Sequence, residues 1–177
     1  MTLWYCKTEY ALRDASKAAR RLLGEAFLRE YGEPAPPIAK TPEGKPYFPS
    51  RPDICFSLSH SGEHLLCVLG EAPAGCDIQQ RRALRPGTEE RLMDERERED
   101  FEFFELWCLR ESFLKMNGSG SLRSARFRRE GGHIIAPLPN AVCRLYDGIE
   151  SCACAVCTLG AEAPPAPVKI EFFTADA

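Results

Sequence analysis

The run Trp107-Cys108-Leu109-Arg110-Glu111-Ser112-Phe113-Leu114-Lys115 sets a carboxylate inside one of the most apolar stretches of the chain. Phe101, Phe103, Phe104, Leu106, Trp107, Leu109, Phe113 and Leu114 surround Glu111. Their spacing predicts a helix from about Phe101 to Met116, ending near Gly118. A helix this apolar buries most of its surface, and an unpaired charge buried with it is costly. Glu111 therefore needs a partner. Lys115, one turn on and on the same face, is one. A cation shared with a second carboxylate is the other, and Asp77, in Gly75-Cys76-Asp77-Ile78, is the candidate. The plain alternative is an ordinary Glu111–Lys115 ion pair.

The rest of the chain reads as alternating strands and helices. Residues 2–6 suggest a strand. Asp14 or Ser16 caps a helix whose apolar positions Ala19, Leu22, Leu23, Ala26, Phe27 and Tyr31 keep helical spacing up to Gly32. A Pro-rich connection from Pro34 to Pro52 carries Lys45. Residues 54–58 and 64–69 predict strands around a turn at His60–Gly62, and Ala74–Ile78 predicts another. After Pro86-Gly87, Thr88 caps a further helix. Strands are expected near 124–129, 133–135, 142–146 and 152–159. Leu66-Cys67-Val68-Leu69-Gly70 is echoed by Ala155-Val156-Cys157-Thr158-Leu159-Gly160, a faint internal repeat. From Glu162 on, Pro164, Pro165 and Pro167 suggest a tail.

Composition narrows the function classes. A net charge of −3 gives no case for nucleic acid. No apolar run reaches the ~18 residues of a membrane span, and no leader peptide is evident. Nine cysteines, an odd number, cannot all pair internally, so a reducing cytoplasm is expected. Cys152, Cys154 and Cys157 read as a buried strand rather than a zinc site, because no histidine is near them in sequence. Ser59-His60 is a poor hydrolase pair, since neighbours on a strand point to opposite faces and no Gly-x-Ser-x-Gly elbow is present.

Three segments occur in order: Phe56-Ser57-Leu58-Ser59-His60-Ser61-Gly62, then Gly75-Cys76-Asp77-Ile78, then Trp107 to Lys115 with its Arg110-Glu111-Ser112 core. Gly44-Lys45-Pro46 precedes them. This arrangement resembles the 4′-phosphopantetheinyl transferases, and more closely the surfactin-synthetase-activating type, from about Asp14 to about Gly120. The resemblance implies an α+β fold of two similar α/β lobes related by pseudo-twofold symmetry, with the active site between them. The lobes would be residues 1–75 and 76–163, followed by a tail at 164–177.

The resemblance also implies the chemistry. A carrier-protein serine attacks the β-phosphate of coenzyme A, the 4′-phosphopantetheine arm is transferred, and 3′,5′-ADP leaves. Asp77 and Glu111 match the family's metal-binding carboxylates, for Mg2+ or Mn2+, and Glu111 is placed to take the serine proton. Many relatives have Asp-x-Glu where this chain has Asp77-Ile78-Gln79, so Gln79 is expected to be a weaker, neutral ligand or to act through water. Lys45, His60 and Lys115 match phosphate contacts, and Ser59 lies beside them. Arg20 and Arg13 suit the 3′-phosphate. Arg110 keeps the positive charge of the usual lysine. The expected partners are an acyl, polyketide or peptidyl carrier protein and coenzyme A, with no nucleic acid, no membrane and a monomeric state. The competing reading is a catalytically inactive protein that binds coenzyme A or a carrier.

Overall fold

The structure is a computed structural model, and it describes residues 1–171. The chain opens with strand β1 (Thr2–Lys7), a single 3-10 turn at Glu9–Leu12, and helix α1 (Ala15–Tyr31). The Asp14 carboxylate accepts the Lys17 amide at 2.9 Å and caps α1, and Gly32 closes it with φ at 72°. Ser16, the other expected cap, instead accepts from Arg20 at 3.0 Å. Short strands β2 (Ala39–Lys40) and β3 (Pro46–Tyr47) pair within the Pro-rich connection. Strands β4 (Cys55–Ser61), β5 (His64–Gly70) and β6 (Ala74–Gln80) follow.

Helices α2 (Thr88–Leu92), α3 (Glu95–Asp100) and α4 (Phe103–Asn117) come next. The remaining strands are β7 (Arg128–Glu130), β8 (His133–Ile135), β9 (Ala141–Leu145), β10 (Cys152–Leu159) and β11 (Pro167–Lys169). The larger sheet runs β11-β1-β5-β4, and a second runs β6-β10-β9.

Side-chain alternation explains how these layers stack. On β5, Leu65, Cys67 and Leu69 join the core beneath α1, with Leu22, Leu23 and Phe27 from the helix. Leu66 and Val68, on the other face, meet Cys76 and Ile78 of β6 and Cys154 and Val156 of β10. Ala153, Ala155 and Cys157 point from β10 towards α4. The order is therefore helix, sheet, sheet, helix. Strands covered on both faces show continuous apolar runs instead of alternation, which is why β5 and β10 are buried almost throughout. Each fully buried Leu or Phe contributes about 1.5–3 kcal/mol.

Several local expectations need correction. His60 lies in β4 and not in the turn, which falls at Gly62-Glu63. Thr88 begins α2 without capping it, because Gly87 holds the N-cap position with no side-chain bond. The capped helix is α3, where Asp94 and Glu97 form a reciprocal capping box. The segment read as a tail returns to the first sheet. Pro167, Val168 and Lys169 pair in parallel with Leu3, Trp4 and Tyr5, and Ile170 is buried in the core beneath α1. A parallel pairing across the whole chain leaves no local pattern in a Pro-rich segment. Residues 172–177 of the expected tail lie outside the described residues.

Cys143 and Cys157 stand opposite each other in the β9–β10 register and are bonded. Their Cα atoms are 4.2 Å apart. The sequence reading did not anticipate this pair, because register is set by pairing between distant residues. No helix among the described residues is long and apolar enough to cross a membrane.

Where the inner faces meet, Tyr5 Oη and His64 Nδ1 are 2.8 Å apart. Burial pushes the Tyr5 hydroxyl up to about 12 and, reinforced by Lys7, lowers His64 from its usual value. A histidine depressed in the folded state stabilises fully above its unfolded pKa of about 6.5 and loses that contribution as pH falls through the folded value. Urea midpoints at pH 7.5 and 5.5 should show this acid loss, up to about 1.4 kcal/mol per pH unit. His64→Gln should reduce the loss.

Candidate active site

The two sheets meet edge to edge along β4 and β6, and there the joint is made by side chains. Ser57, Ser59 and Ser61 lie on one face of β4. Their hydroxyls accept the amides of Cys76, Ile78 and Gln80 at 3.2, 3.3 and 3.0 Å. Each of the three serines thus does for β6 what a backbone carbonyl would do in an ordinary ladder. Asp77 lies in the middle of this seam, on the face of β6 turned towards α4.

Asp77 is buried, at 2% exposure. Its Oδ1 accepts from Ser59 Oγ at 2.6 Å and from Lys115 Nζ at 2.7 Å. Its Oδ2 lies 3.3 Å from Gln79 Nε2. Lys115 also donates to the Cys76 carbonyl at 3.1 Å. Burial alone would lower the Lys115 ammonium, but Asp77, Cys76 and Glu111 together outweigh it and the net shift is upward. Glu111, half-buried one turn earlier on α4, is raised first by burial and next by the charge of Asp77, while Lys115 opposes both. Lys115 thus pairs with Asp77, and the expected ordinary Glu111–Lys115 bridge is absent from the ion pairs of the described residues.

Two features hold α4 in this place. Gly75 is the first: a Cβ there would collide with the Ser112 carbonyl and the Met116 amide, so only glycine lets the helix backbone lie on the strand. The second is Arg110, which faces away from the site. It is 3% exposed and makes a two-pronged bond to the fully buried Glu97 at 2.8 and 2.9 Å. Its Nε donates to the Ala125 carbonyl at 3.0 Å. Arg126 adds a bond to Glu97 at 2.9 Å, and Arg128 reaches Asp94 at 2.9 Å. Arg110 therefore fastens α4 to α3 and the β7 approach and offers no charge to a ligand.

Beside the seam is a cavity of about 340 Å³, lined by Lys45, Pro46, Phe56, Leu58, Leu114 and Lys115, among others. Lys45 Nζ donates to the Met116 carbonyl at 2.7 Å, near the C-terminal end of α4, and burial lowers its pKa. Gly118, at φ 76°, ends the helix against this cavity. His60 is exposed on β4. Arg13 and Arg20 are exposed around the start of α1, and no bond among the described residues joins either to the Asp77 group. The structure thus brings Asp77, Glu111, Lys115, Ser59 and Gln79 together, and Lys45 lines the same cavity as Lys115. It leaves His60, Arg13 and Arg20 outside that bonded group.

Sequence reasoning missed Ser57, Ser61, Gly75 and Glu97. The Ser-x-Ser-x-Ser alternation was visible, but its partner strand was not. Glu97 is one acid among many in residues 89–102.

Two lysines thus line the cavity, and one of them, Lys115, is paired with the buried Asp77 carboxylate. No protein-family model matches the chain. Individual proteins do. The chain is 33% identical to a 4′-phosphopantetheinyl transferase of Bacillus subtilis over 180 residues, 86% of this chain and 78% of that protein. It is 31% identical to the 4′-phosphopantetheinyl transferase psf-1 of Bacillus pumilus over 90% of this chain and 78% of the relative. It is 26% identical to the 4′-phosphopantetheinyl transferase AcpT of Salmonella typhi, over 83% of this chain and 81% of that protein. The chain belongs to the 4′-phosphopantetheinyl transferase family.

Proposed function

We propose that the protein moves the 4′-phosphopantetheine arm of coenzyme A onto a serine of an apo carrier protein, and that the seam between β4 and β6 is where it does so. The observation that carries this reading is the buried Asp77 carboxylate, held by Ser59 and Lys115 from opposite sides of the seam, with Glu111 beside it.

In this reading the carrier hydroxyl attacks the β-phosphorus of coenzyme A. A new bond forms from the serine oxygen to phosphorus, and the bond from phosphorus to the bridging oxygen breaks. 3′,5′-ADP departs with that oxygen. Glu111 takes the hydroxyl proton, directly or through one water. Burial and the neighbouring Asp77 charge raise its carboxyl from the usual value, which makes it a better proton acceptor than an exposed glutamate. Lys115 and Lys45, which line the same cavity, hold the pyrophosphate. His60 remains a candidate coenzyme A contact, and Arg20 and Arg13 candidates for the 3′-phosphate.

The donor set suits magnesium, or manganese, in its two-carboxylate mode, with phosphate oxygens and water completing the shell. Asp77 and Glu111, whose charges interact, would hold the ion. Bound there, it would neutralise charge developing on the phosphate oxygens. Gln79, whose amide nitrogen faces Asp77, would take part through its oxygen after rotation or through water.

The two helix-covered sheets are proposed to be lobes related by pseudo-twofold symmetry, residues 1–75 and 76–163, working as a monomer. The matching apolar repeats support this, since they fall on β5 and β10, the second strand of one sheet and the central strand of the other. The partners are an acyl, polyketide or peptidyl carrier protein in the cytoplasm, a compartment that the free thiols fit.

Release of 3′,5′-ADP from coenzyme A tests the reading. It should appear only when protein, magnesium and an apo carrier are all present. Release without a carrier would make the protein a hydrolase, and no release would make it a binder.

A further inference from the structure

Ser59 has a hydroxyl with two fixed tasks. It donates to Asp77 Oδ1 at 2.6 Å and accepts the Ile78 amide at 3.3 Å, and the residue is 6% exposed. Ser57 and Ser61 make the same kind of amide contact one rung away on either side, but no hydrogen bond among the described residues joins either to Asp77. The three serines thus share one structural role, and only the middle one has a second.

We propose that Ser59 is a positioning residue for Asp77: it carries the orientation of the first sheet across the seam to the carboxylate on the second. The inference rests on the reading of Asp77 as part of the site. A carboxylate on an edge strand, with a free torsion between its carbon and the backbone, needs a fixed donor to settle on one orientation. Lys115 cannot serve alone, because a flexible ammonium binds as a point charge and follows the carboxylate wherever it turns. The Ser59 donor is short, buried and locked by the Ile78 amide behind it. Because the hydroxyl belongs to β4 and the carboxylate to β6, a change in the spacing of the two sheets would misplace Asp77 before it broke either sheet. Coenzyme A binding through Lys45 would be little affected.

The ladder supplies its own controls. Ser57→Ala and Ser61→Ala each remove one hydroxyl-to-amide bond and should lower thermal stability to a similar extent, and Ser59→Ala, which also removes the donor to Asp77, should lower it further. Steady-state transfer to an apo carrier then separates them. Ser57→Ala and Ser61→Ala should keep kcat within about threefold of the parent. Ser59→Ala should lose about tenfold or more in kcat, the size expected of one hydrogen bond to a charged group, while its KM for coenzyme A stays within about threefold. Ser59→Thr, which restores a hydroxyl, should recover most of the loss. Ser59→Cys keeps the volume without a strong donor, so it should behave like alanine even if the alanine variant folds poorly.

A kcat loss no larger than that of the neighbouring serines would overturn the proposal. So would a defect confined to KM for coenzyme A, which would make Ser59 a substrate ligand. Asp77→Ala run in parallel distinguishes the two levels of inference. If it turns over normally, the reading of the site fails. If it is inactive while Ser59→Ala matches Ser57→Ala and Ser61→Ala, the site stands and the positioning role falls.

Discussion

Replacing Glu111 by alanine is expected to lower carrier modification by about 100-fold or more, in a protein that still folds. The magnitude is what a positioned proton acceptor contributes. Glu111 is half-buried on α4, with its carboxyl raised by burial and by Asp77, so its removal relieves repulsion and should not cost the helix its packing. Asp77→Ala should reduce transfer to a similar degree for a different reason. It deletes the acceptor that Lys115 and Ser59 share and leaves the ammonium without its counter-charge. Asp77→Asn keeps the shape and removes the charge, which separates a packing defect from an electrostatic one. Single-turnover rates, with circular dichroism as the folding control, check both positions. Near-parental turnover in either folded alanine variant would remove that residue from the site.

The second large effect is expected far from the chemistry. Glu97→Ala should destabilise the protein by about 3–5 kcal/mol, because it leaves Arg110 charged, buried and without its two-pronged partner. Burial lowers the Arg110 pKa against the pull of Glu97. The same glutamate closes the capping box of α3 through the Asp94 amide at 3.0 Å, so its loss also frays that helix. Urea denaturation measures the difference, and a loss below about 1 kcal/mol would contradict the assignment. Since Arg110 directly precedes Glu111, we also expect the folded fraction of Glu97→Ala to show reduced transfer.

What could be read from the sequence and what could not divide along physical lines. Helix α1 was legible because its cap at Asp14, its apolar spacing and its terminal Gly32 are all local. The β5 and β10 strands were legible because burial on both faces leaves an uninterrupted apolar run. The order of the Ser59, Asp77 and Glu111 segments identified the family, and the structure brings those three residues to one seam.

The serine ladder was not legible, since it joins edges of two different sheets and its register follows from no local pattern. Strand β11 was hidden for the same reason, and its prolines argued against a strand. Prolines are tolerated there because β11 is an edge strand, bonded on one side only. Glycine at position 75 gave no hint of its purpose, because the close approach of α4 is visible only once helix and strand are packed. For Arg110 the sequence reading noted only that it keeps the positive charge of the family's usual lysine, and it did not foresee the buried partner. One residue along a helix turns a side chain by about 100°, and that rotation carries Arg110 from the Glu111 face to the buried pair with Glu97.

Intact-mass spectrometry of apo carriers tests the central claim most directly. An acyl, a polyketide and a peptidyl carrier would each be incubated with the protein, coenzyme A and magnesium. The account predicts that at least one carrier gains the mass of a single 4′-phosphopantetheine arm, that fragmentation places it on the carrier serine, and that Asp77→Ala and Glu111→Ala leave the carrier unmodified. Carriers that all stay unmodified, with a folded protein that binds coenzyme A, would contradict it.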